Sequence, residues 1–467
     1  METVTGSLRN TMIFQPDDRQ KRIITHLHSH DQSYLVVGMG VGKTSSCLHT
    51  LNEQFLDGSV RGALVVAPMR VANLPWPEEV RMWDDVSWMR VANLRTAQGR
   101  DAFLHGRAQI YTINYESLPN FVKLAQQRLA IYNDLPYDVE IWDETTFAKN
   151  PTGKRVNKFR KIVPRAEKRW GLTGTPAPNG LLDVFAQVRL LDDGKRLGPA
   201  FDHFKRRFFR QADFMGYKWE IMAGSKETIE GCISDMTLTI EGGDWPVHIE
   251  DVELPLPEDL QKMYRKFERD LILELHGSEI TAASAAALVS KLLQFTSGAM
   301  YDVDKRHHLA HSIKLDALAK IAKQHDTLLV AVNFQHEQKR IRERFPHAEF
   351  FMDATTPKKQ EQLRDRWNAR EIKMLVAHPS SVGHGLNLQH GGSHMVWTTL
   401  NYNADTYRQM IARLARRGQT ETVTVYRLMC PGTVDDVVAE SLEFKTGEEK
   451  RLMQTLRMLE AQARGEE

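Results

Sequence analysis

Residues 38 to 44 read Gly-Met-Gly-Val-Gly-Lys-Thr and follow directly on the apolar run YLVV (34 to 37). Glycines at 40 and 42 let a backbone turn tightly and aim its amide hydrogens inward, and Lys43 and Thr44 then open a helix. Amides at a helix start carry partial positive charge, so this loop can cradle a phosphate. Met39, Gly40, Val41, Gly42, Lys43, Thr44 and Ser45 would surround the anion. Lys43 would reach the β- and γ-phosphates of ATP, and the Thr44 hydroxyl a Mg²⁺ ion. Val37 stands where the eight-residue phosphate-loop pattern has its first glycine. The competing reading is a glycine-rich turn with one exposed lysine.

About a hundred residues on, VEIWDETTFAKN (139 to 150) is an apolar strand that ends in acid. Asp143 and Glu144 then fall at the carboxyl edge of a parallel sheet, where ligands of such folds bind. Asp143 would hold Mg²⁺, and Glu144 would orient and deprotonate an attacking water. Near the other end of the chain, YRQMIARLARRGQ (407 to 419) spaces Gln409, Arg413 and Arg416 at i, i+4 and i+7, one face of a predicted helix. Two guanidiniums aimed at a nucleotide held by the first half of the chain would stabilise charge on a transferring γ-phosphate. The bland alternatives are two solvated acids in a turn and a basic surface helix.

Elements must bring these groups together. Continuous apolar runs recur at 34 to 37, 63 to 67, 110 to 113, 139 to 142 and 169 to 173, with segments of helical length between them. Strands without polar alternation are those of a parallel sheet covered on both faces, so the first half predicts an α/β layer fold. The pattern returns at 327 to 332, 348 to 352, 373 to 377, 394 to 399 and 423 to 429, which predicts a second sheet. Residues 254 to 273 and 281 to 295 have helical spacing and predict a mainly helical insert. EGGDWP (241 to 246) and LPLP (254 to 257) interrupt both helix and strand, placing a domain boundary near residue 250. At the C-terminus a capping box (Thr446, Glu449) and a stripe of Leu452, Leu456 and Leu459 predict a docked helix.

At 467 residues the chain is too long for one core and excludes a small binding module. Lys and Arg number 62 against 60 acids, so any polyanion site must be local. Cys47, Cys232 and Cys430 form no disulfide framework, which with the absence of a signal-type N-terminus or a membrane-length apolar run points to the cytoplasm of a bacterial or infected host cell. The histidine groups HLHSH (26 to 30) and HHLAH (307 to 311) lack the partners of a known zinc pattern, and no structural metal is expected.

Phe14 to Gln20, GMGVGKT, VVAPMRVANLPWPEEV with Pro68 and Trp76, TINYESL, DETTFAKN with Lys149 and Asn150, LTGTPAPN (172 to 179), NFQ (333 to 335), SSVGHGLNLQ (380 to 389) and QMIARLARRGQ follow one another along the chain. In this order they resemble motifs Q, I, Ia, Ib, II, III, IV, V and VI of superfamily-two helicases, and within them the Swi/Snf-type ATPases, in a compact form similar to those of bacteria and their viruses. The resemblance implies two RecA-like lobes, an N-terminal one over 1 to 250 and a C-terminal one over 251 to 467. It implies ATP with Mg²⁺ as cofactors, Gln20 at the adenine, and Gln409, Arg413 and Arg416 at the phosphates. Two departures stand out. Thr146 replaces the histidine of motif II, and Pro178 replaces the usual glutamine of motif III, so the wiring between hydrolysis and movement is expected to differ.

The family's polynucleotide contacts fall mostly on phosphates. The resemblance carries them to Arg70, Tyr115, Gly385 and Asn387. The runs KRVNKFRKIVPRAEKRW (154 to 170) and FKRRFFR (204 to 210) add local positive charge. The expected activity is that of an ATP-driven translocase on double-stranded DNA, serving replication, recombination or repair. The alternatives are a strand-separating DNA or RNA helicase and a nucleotide-gated scaffold that does not hydrolyse. Protein partners are not legible in the sequence.

Overall fold

The structure, a computed structural model, describes residues 12–73, 75–177, 180–211, 219–243, 245–276, 282–302, 304, 306–382, 386–443, 454–456 and 458–459. Gly385, Pro178, Thr446, Glu449, Leu452 and the side chain of Arg70 lie outside it.

The first unit spans Met1–Gly242. Its strands are β1 (Gln32–Val37), β2 (Ala63–Ala67), β3 (Val91–Asn93), β4 (Ile110–Asn114), β5 (Val139–Asp143), β6 (Lys168–Thr173), β7 (Phe209–Gln211), β8 (Trp219–Ile221) and β9 (Thr237–Ile240). Seven of them form a parallel sheet in the order β3-β4-β2-β5-β6-β1-β9, and β7 and β8 make a separate antiparallel pair. Strands β2, β4 and β5 are buried at every position, as a sheet covered on both faces requires. Two cores result. One packs Trp142, Phe121, Phe159 and Phe185, and the other packs Leu35, Cys47, Leu48, Trp76 and Trp170.

The second unit spans Gly243–Glu467. It contains β10 (Val247–Glu253), β11 (Ala299–Tyr301), β12 (His307–Leu309), β13 (Leu328–Ala331), β14 (Glu349–Phe350), β15 (Met374–Ala377), β16 (His394–Trp397) and β17 (Val423–Met429). Its six-stranded parallel sheet runs β10-β17-β16-β13-β15-β14. The helices Glu258–His276 and Ala282–Thr296 fill the place of the expected insert, and Tyr264, Leu288 and Leu292 belong to the same core as Trp397 and Val425. They are part of this unit, not a separate body. Leu456 and Leu459 are buried in that core as well.

Both units are α/β layers of RecA-like kind. The division falls at Gly242–Gly243, before residue 250, because β10 pairs with β17 along its whole length. That strand reads VHIEDVE and is exposed at nearly every position. An edge strand with three acids in seven residues gives no apolar run, so the sequence makes it look like a connection. Among the described residues no helix is long and apolar enough to cross a membrane.

Candidate active site

In the first unit the segments singled out by their chemistry leave the carboxyl ends of adjacent strands. Residues 38–42 follow β1, Gly174–Pro176 follow β6, and Asp143 closes β5. These three strands are neighbours in the sheet, and Asp143 lies level with Leu172, itself level with Leu35.

The loop after β1 turns through Gly40 (φ +77°) and Gly42 (φ +92°), and Gly42 caps the helix Lys43–Leu56. A side chain at 42 would lie 2.3 Å from Gln20 Nε2 and 2.9 Å from Ser45 Oγ, so both backbone and space demand glycine. Lys43 Nζ donates to the carbonyls of Val37 (2.7 Å) and Gly38 (3.4 Å), which holds the ammonium over the loop. Val41 points into the core and anchors the loop, leaving its amide for the cradle. The hydroxyls of Ser45 and Ser46 donate to Gly42 O. Met39 and Thr44 are half-buried at the loop and in the first helical turn.

Gln20 is buried against this loop. It forms a capping box with Asp17 at the start of the helix Asp18–Ser29, and its Nε2 lies 3.5 Å from Ser45 Oγ. Upstream, Phe14 stacks on His49 at 3.5 Å between ring centroids.

The acids sit on a constrained turn. Glu144 has φ +53°, a left-handed conformation that costs a non-glycine residue about 1 kcal/mol. Such a turn persists only where its surroundings fix it. Tyr115 donates its hydroxyl to the carbonyls of Asp143 (3.0 Å) and Glu144 (3.3 Å). Burial, with Asp143, Glu144 and Glu116 nearby, pushes that hydroxyl well above its ordinary pKa, so it stays protonated and donating. Trp76 Nε1 donates to Asp143 Oδ2 at 3.0 Å from the other core. The thiol of Cys47 is pushed up by burial first, then raised further by Asp143 and lowered by Lys43.

In the second unit the expected helical face is interrupted. The helix Ala404–Ile411 contains Gln409, half-buried, but ends before Arg413 and Arg416. The chain tightens there through Arg413 N to Met410 O and Leu414 N to Ile411 O bonds and turns at Gly418, φ +94°. The arginines nonetheless converge. Arg413 Nη1 lies 3.4 Å and Arg416 Nη1 3.5 Å from Leu386 O, and Leu388 N donates back to Arg413 O. Gln419 Nε2 donates to the carbonyls of Gln389 and Gly392, fastening the segment after the arginines to the residues after 386.

The polynucleotide candidates fare unevenly. Tyr115 is 4% exposed and stacks on Phe147, so its side chain braces the acidic turn and does not offer a surface contact. The main chain of Arg70 lies in the helix Met69–Asn73. Asn387 is half-buried, with its carbonyl accepting from Asn368. In the first basic run Arg160, Arg165 and Arg169 all pair with Asp193, and Arg165 also with the buried Glu140, which leaves Lys154, Arg155, Lys158 and Lys161 exposed. In the second, Phe204, Phe208 and Phe209 are core residues, while Arg206 and Arg207 face solvent. Neither run is a continuous basic face.

One buried residue escapes motif reasoning. Gln187, in the helix Leu182–Asp192, bonds Thr145 of the acidic turn and the carbonyl of Pro176. Its signal is faint: a single amide inside the apolar run VFAQVRLL.

The family model described as the SNF2-related domain matches residues 20–364. The chain belongs to the SNF2-related family. With that membership comes the coarse function of a helicase-like ATPase. This SNF2-related chain is 33% identical to putative protein p41 of Acyrthosiphon pisum secondary endosymbiont phage 1, over 95% of this chain and 99% of that one. It is 23% identical to the DNA repair and recombination protein RAD54B of Mus musculus, over 88% of this chain and 52% of that protein. The SNF2-related chain therefore spans about half of the RAD54B relative and nearly all of the phage relative. Among solved structures the helicase domain of Hef from Pyrococcus furiosus shares the fold, with a TM-score of 0.55 and 15% identity over 91% of this chain and 98% of that one.

Proposed function

We propose that this ATPase is a translocase driven along double-stranded DNA by ATP hydrolysis, working in replication, recombination or repair in the cytoplasm of a bacterial or infected cell. The observation that carries the reading is that the glycine loop bearing Lys43 and the acidic turn bearing Asp143 leave the carboxyl ends of β1 and β5, both level with the strand β6 between them, with Glu144 held on a left-handed turn braced by Tyr115. The loop, turned through left-handed Gly40 and Gly42 at the start of the helix Lys43–Leu56, fits a triphosphate, and a hydroxyl with a carboxylate fits a hard cation. Thr44 and Asp143 would hold Mg²⁺, which supplies charge neutralisation on the phosphates. Lys43 binds the β- and γ-phosphates, Gln20 reads the adenine, and Glu144 orients the attacking water and accepts its proton. Arg413 and Arg416, with Gln409, stabilise charge on the γ-phosphate as it is transferred to water. Arg70, Gly385 and Asn387 contact the polynucleotide backbone. The name of the RAD54B relative supports DNA as the track.

Phosphate release by the parental chain, Lys43→Ala and Glu144→Gln, with and without duplex DNA, tests this. The expected result is duplex-stimulated hydrolysis in the parent alone, with DNA binding kept in both variants. Parental rates in either variant would remove the site assignment. Stimulation by RNA or by single strands above duplex would favour a strand-separating helicase, and no hydrolysis by the parent would favour a scaffold.

A further inference from the structure

Gln187 is fully buried, and every hydrogen-bonding position of its amide is used. Its Oε1 accepts from Thr145 Oγ1 at 2.6 Å and from Tyr34 OH at 3.0 Å. Its Nε2 donates to Pro176 O at 2.6 Å and to Asp183 O, one turn back in its own helix, at 2.9 Å. A single side chain thus joins the strand that leads into the phosphate loop, the acidic turn, and the turn after β6. Gly171 makes room for this, since a Cβ there would lie 3.0 Å from Thr145 Cγ2 and 2.7 Å from Leu191 Cδ1.

Thr145 follows the left-handed Glu144 directly. Tyr115 grips the turn by its carbonyls, and Gln187 grips it by the next side chain. Removing the second grip leaves the strained residue fixed from one side only. Asn or Ser cannot reach both turns, and Glu has the reach but no donor for Pro176 O.

We propose that Gln187 is a positioning residue for ATP hydrolysis: it locks the turn carrying Glu144 to the turn at Pro176, so that the two move as one piece during the catalytic cycle. The inference rests on the ATPase reading above. It predicts that breaking either end of the bridge has the same consequence. Gln187→Glu keeps the acceptor for Thr145 and Tyr34 but loses the Pro176 bond. Thr145→Val keeps shape and the Pro176 bond but loses the grip on the acidic turn.

Steady-state hydrolysis with saturating duplex DNA, at a temperature well below the melting point of every variant, is the test. Each single variant should lose about tenfold in kcat with KM for ATP within about twofold of the parent, the pattern of an interaction made in the transition state. The double variant should be no worse than the worse single one, because both cut one linkage. Thr145→Ser, which keeps the hydroxyl, should restore kcat. Lower melting points with parental kcat would reduce Gln187 to a structural role and overturn the proposal, as would losses that multiply in the double variant. A parent that hydrolyses no ATP overturns this proposal together with the ATPase reading, whereas an active parent with equally active variants overturns this one alone.

Discussion

The two units place their buried polar groups differently. In the first, Trp76, Tyr115 and Gln187 come from three separate helical segments and place their hydrogen bonds on the three residues from 143 to 145 that carry the acids. In the second, the most deeply buried ion pair among the described residues is Lys314 with Asp435, 2.7 Å apart and each at most 2% exposed. Asp435 also accepts from Thr296 Oγ1 and from Cys430 N. Those bonds join the helical insert to the sheet and touch neither arginine. The first unit uses buried polarity to hold chemistry still, and the second uses it to hold its parts together.

The comparison sharpens under substitution. The largest effect should come from Glu144→Gln, which would remove the proposed base while keeping the side-chain shape: ATP turnover should fall by about 10²- to 10⁴-fold. Its melting temperature should stay within a degree or two, and a loss of stability on the scale of the activity loss would show that the turn is held by Glu144 itself. The reverse result is expected for Asp435→Ala. It leaves a buried ammonium without its carboxylate, which typically costs about 3–5 kcal/mol. Urea denaturation of the second unit should shift by that amount, and a shift under about 1 kcal/mol would contradict the role given to the pair.

Much of this was open to the sequence. Nine of the ten apolar runs fall on strands, because a strand buried on both faces has to be largely apolar, whereas in the run 348 to 352 only Glu349–Phe350 is a strand, at the sheet edge, and Phe351–Asp353 is a 3-10 turn. The glycine loop, the acid pair and the arginines stand out in the sequence because the chemistry proposed for them restricts residue type and spacing. The misses share a cause. β3, β9 and β10 are short or lie at sheet edges, where one side is wet and composition is unconstrained. Extending the helix through Arg413 and Arg416 followed from spacing alone, which is blind to the main-chain bond from Leu388 N to Arg413 O and to the guanidiniums set toward Leu386 O. Tyr115 shows the limit of motif position: a matching residue can serve the site from behind. Gln187, Trp76 and Glu140 act across the fold, between residues far apart in sequence, and no local pattern encodes such partners.

Trp76→Phe tests whether support from outside the acidic turn matters to a cation held there. Phenylalanine keeps the ring in the core and loses the bond to Asp143 Oδ2. Loss of an outer partner of a metal-holding group costs about 10- to 100-fold in metal affinity. The Mg²⁺ concentration giving half-maximal hydrolysis should therefore rise by about tenfold, with the rate at saturating Mg²⁺ close to parental. An unchanged Mg²⁺ midpoint would mean that the indole only fills space.

The smallest effect should appear as acid sensitivity of the second unit. Burial first, then Lys314 and Arg340, push His311 down to about 4, and burial, then Arg340 and His307, push His336 down to about 3. Both are neutral in the folded chain at pH values where the unfolded chain binds protons, since an unperturbed histidine titrates near 6.5. Lowered folded pKa values mean that this stability is present above pH 6.5 and is lost as pH falls from there toward 4. Each histidine contributes a slope of up to about 1.4 kcal/mol per pH unit in that window. The parent should lose stability between pH 6.5 and 5 more steeply than a His311→Gln, His336→Gln double variant followed by urea denaturation. Since these histidines neighbour Arg340, whose guanidinium bonds the carbonyls of Ser297 and His311, protonating them adds charge beside a cation that already has its partners. Parallel pH profiles for the two proteins would show that the histidines titrate alike in both states, and would remove the acid-labile part of the contrast between the units.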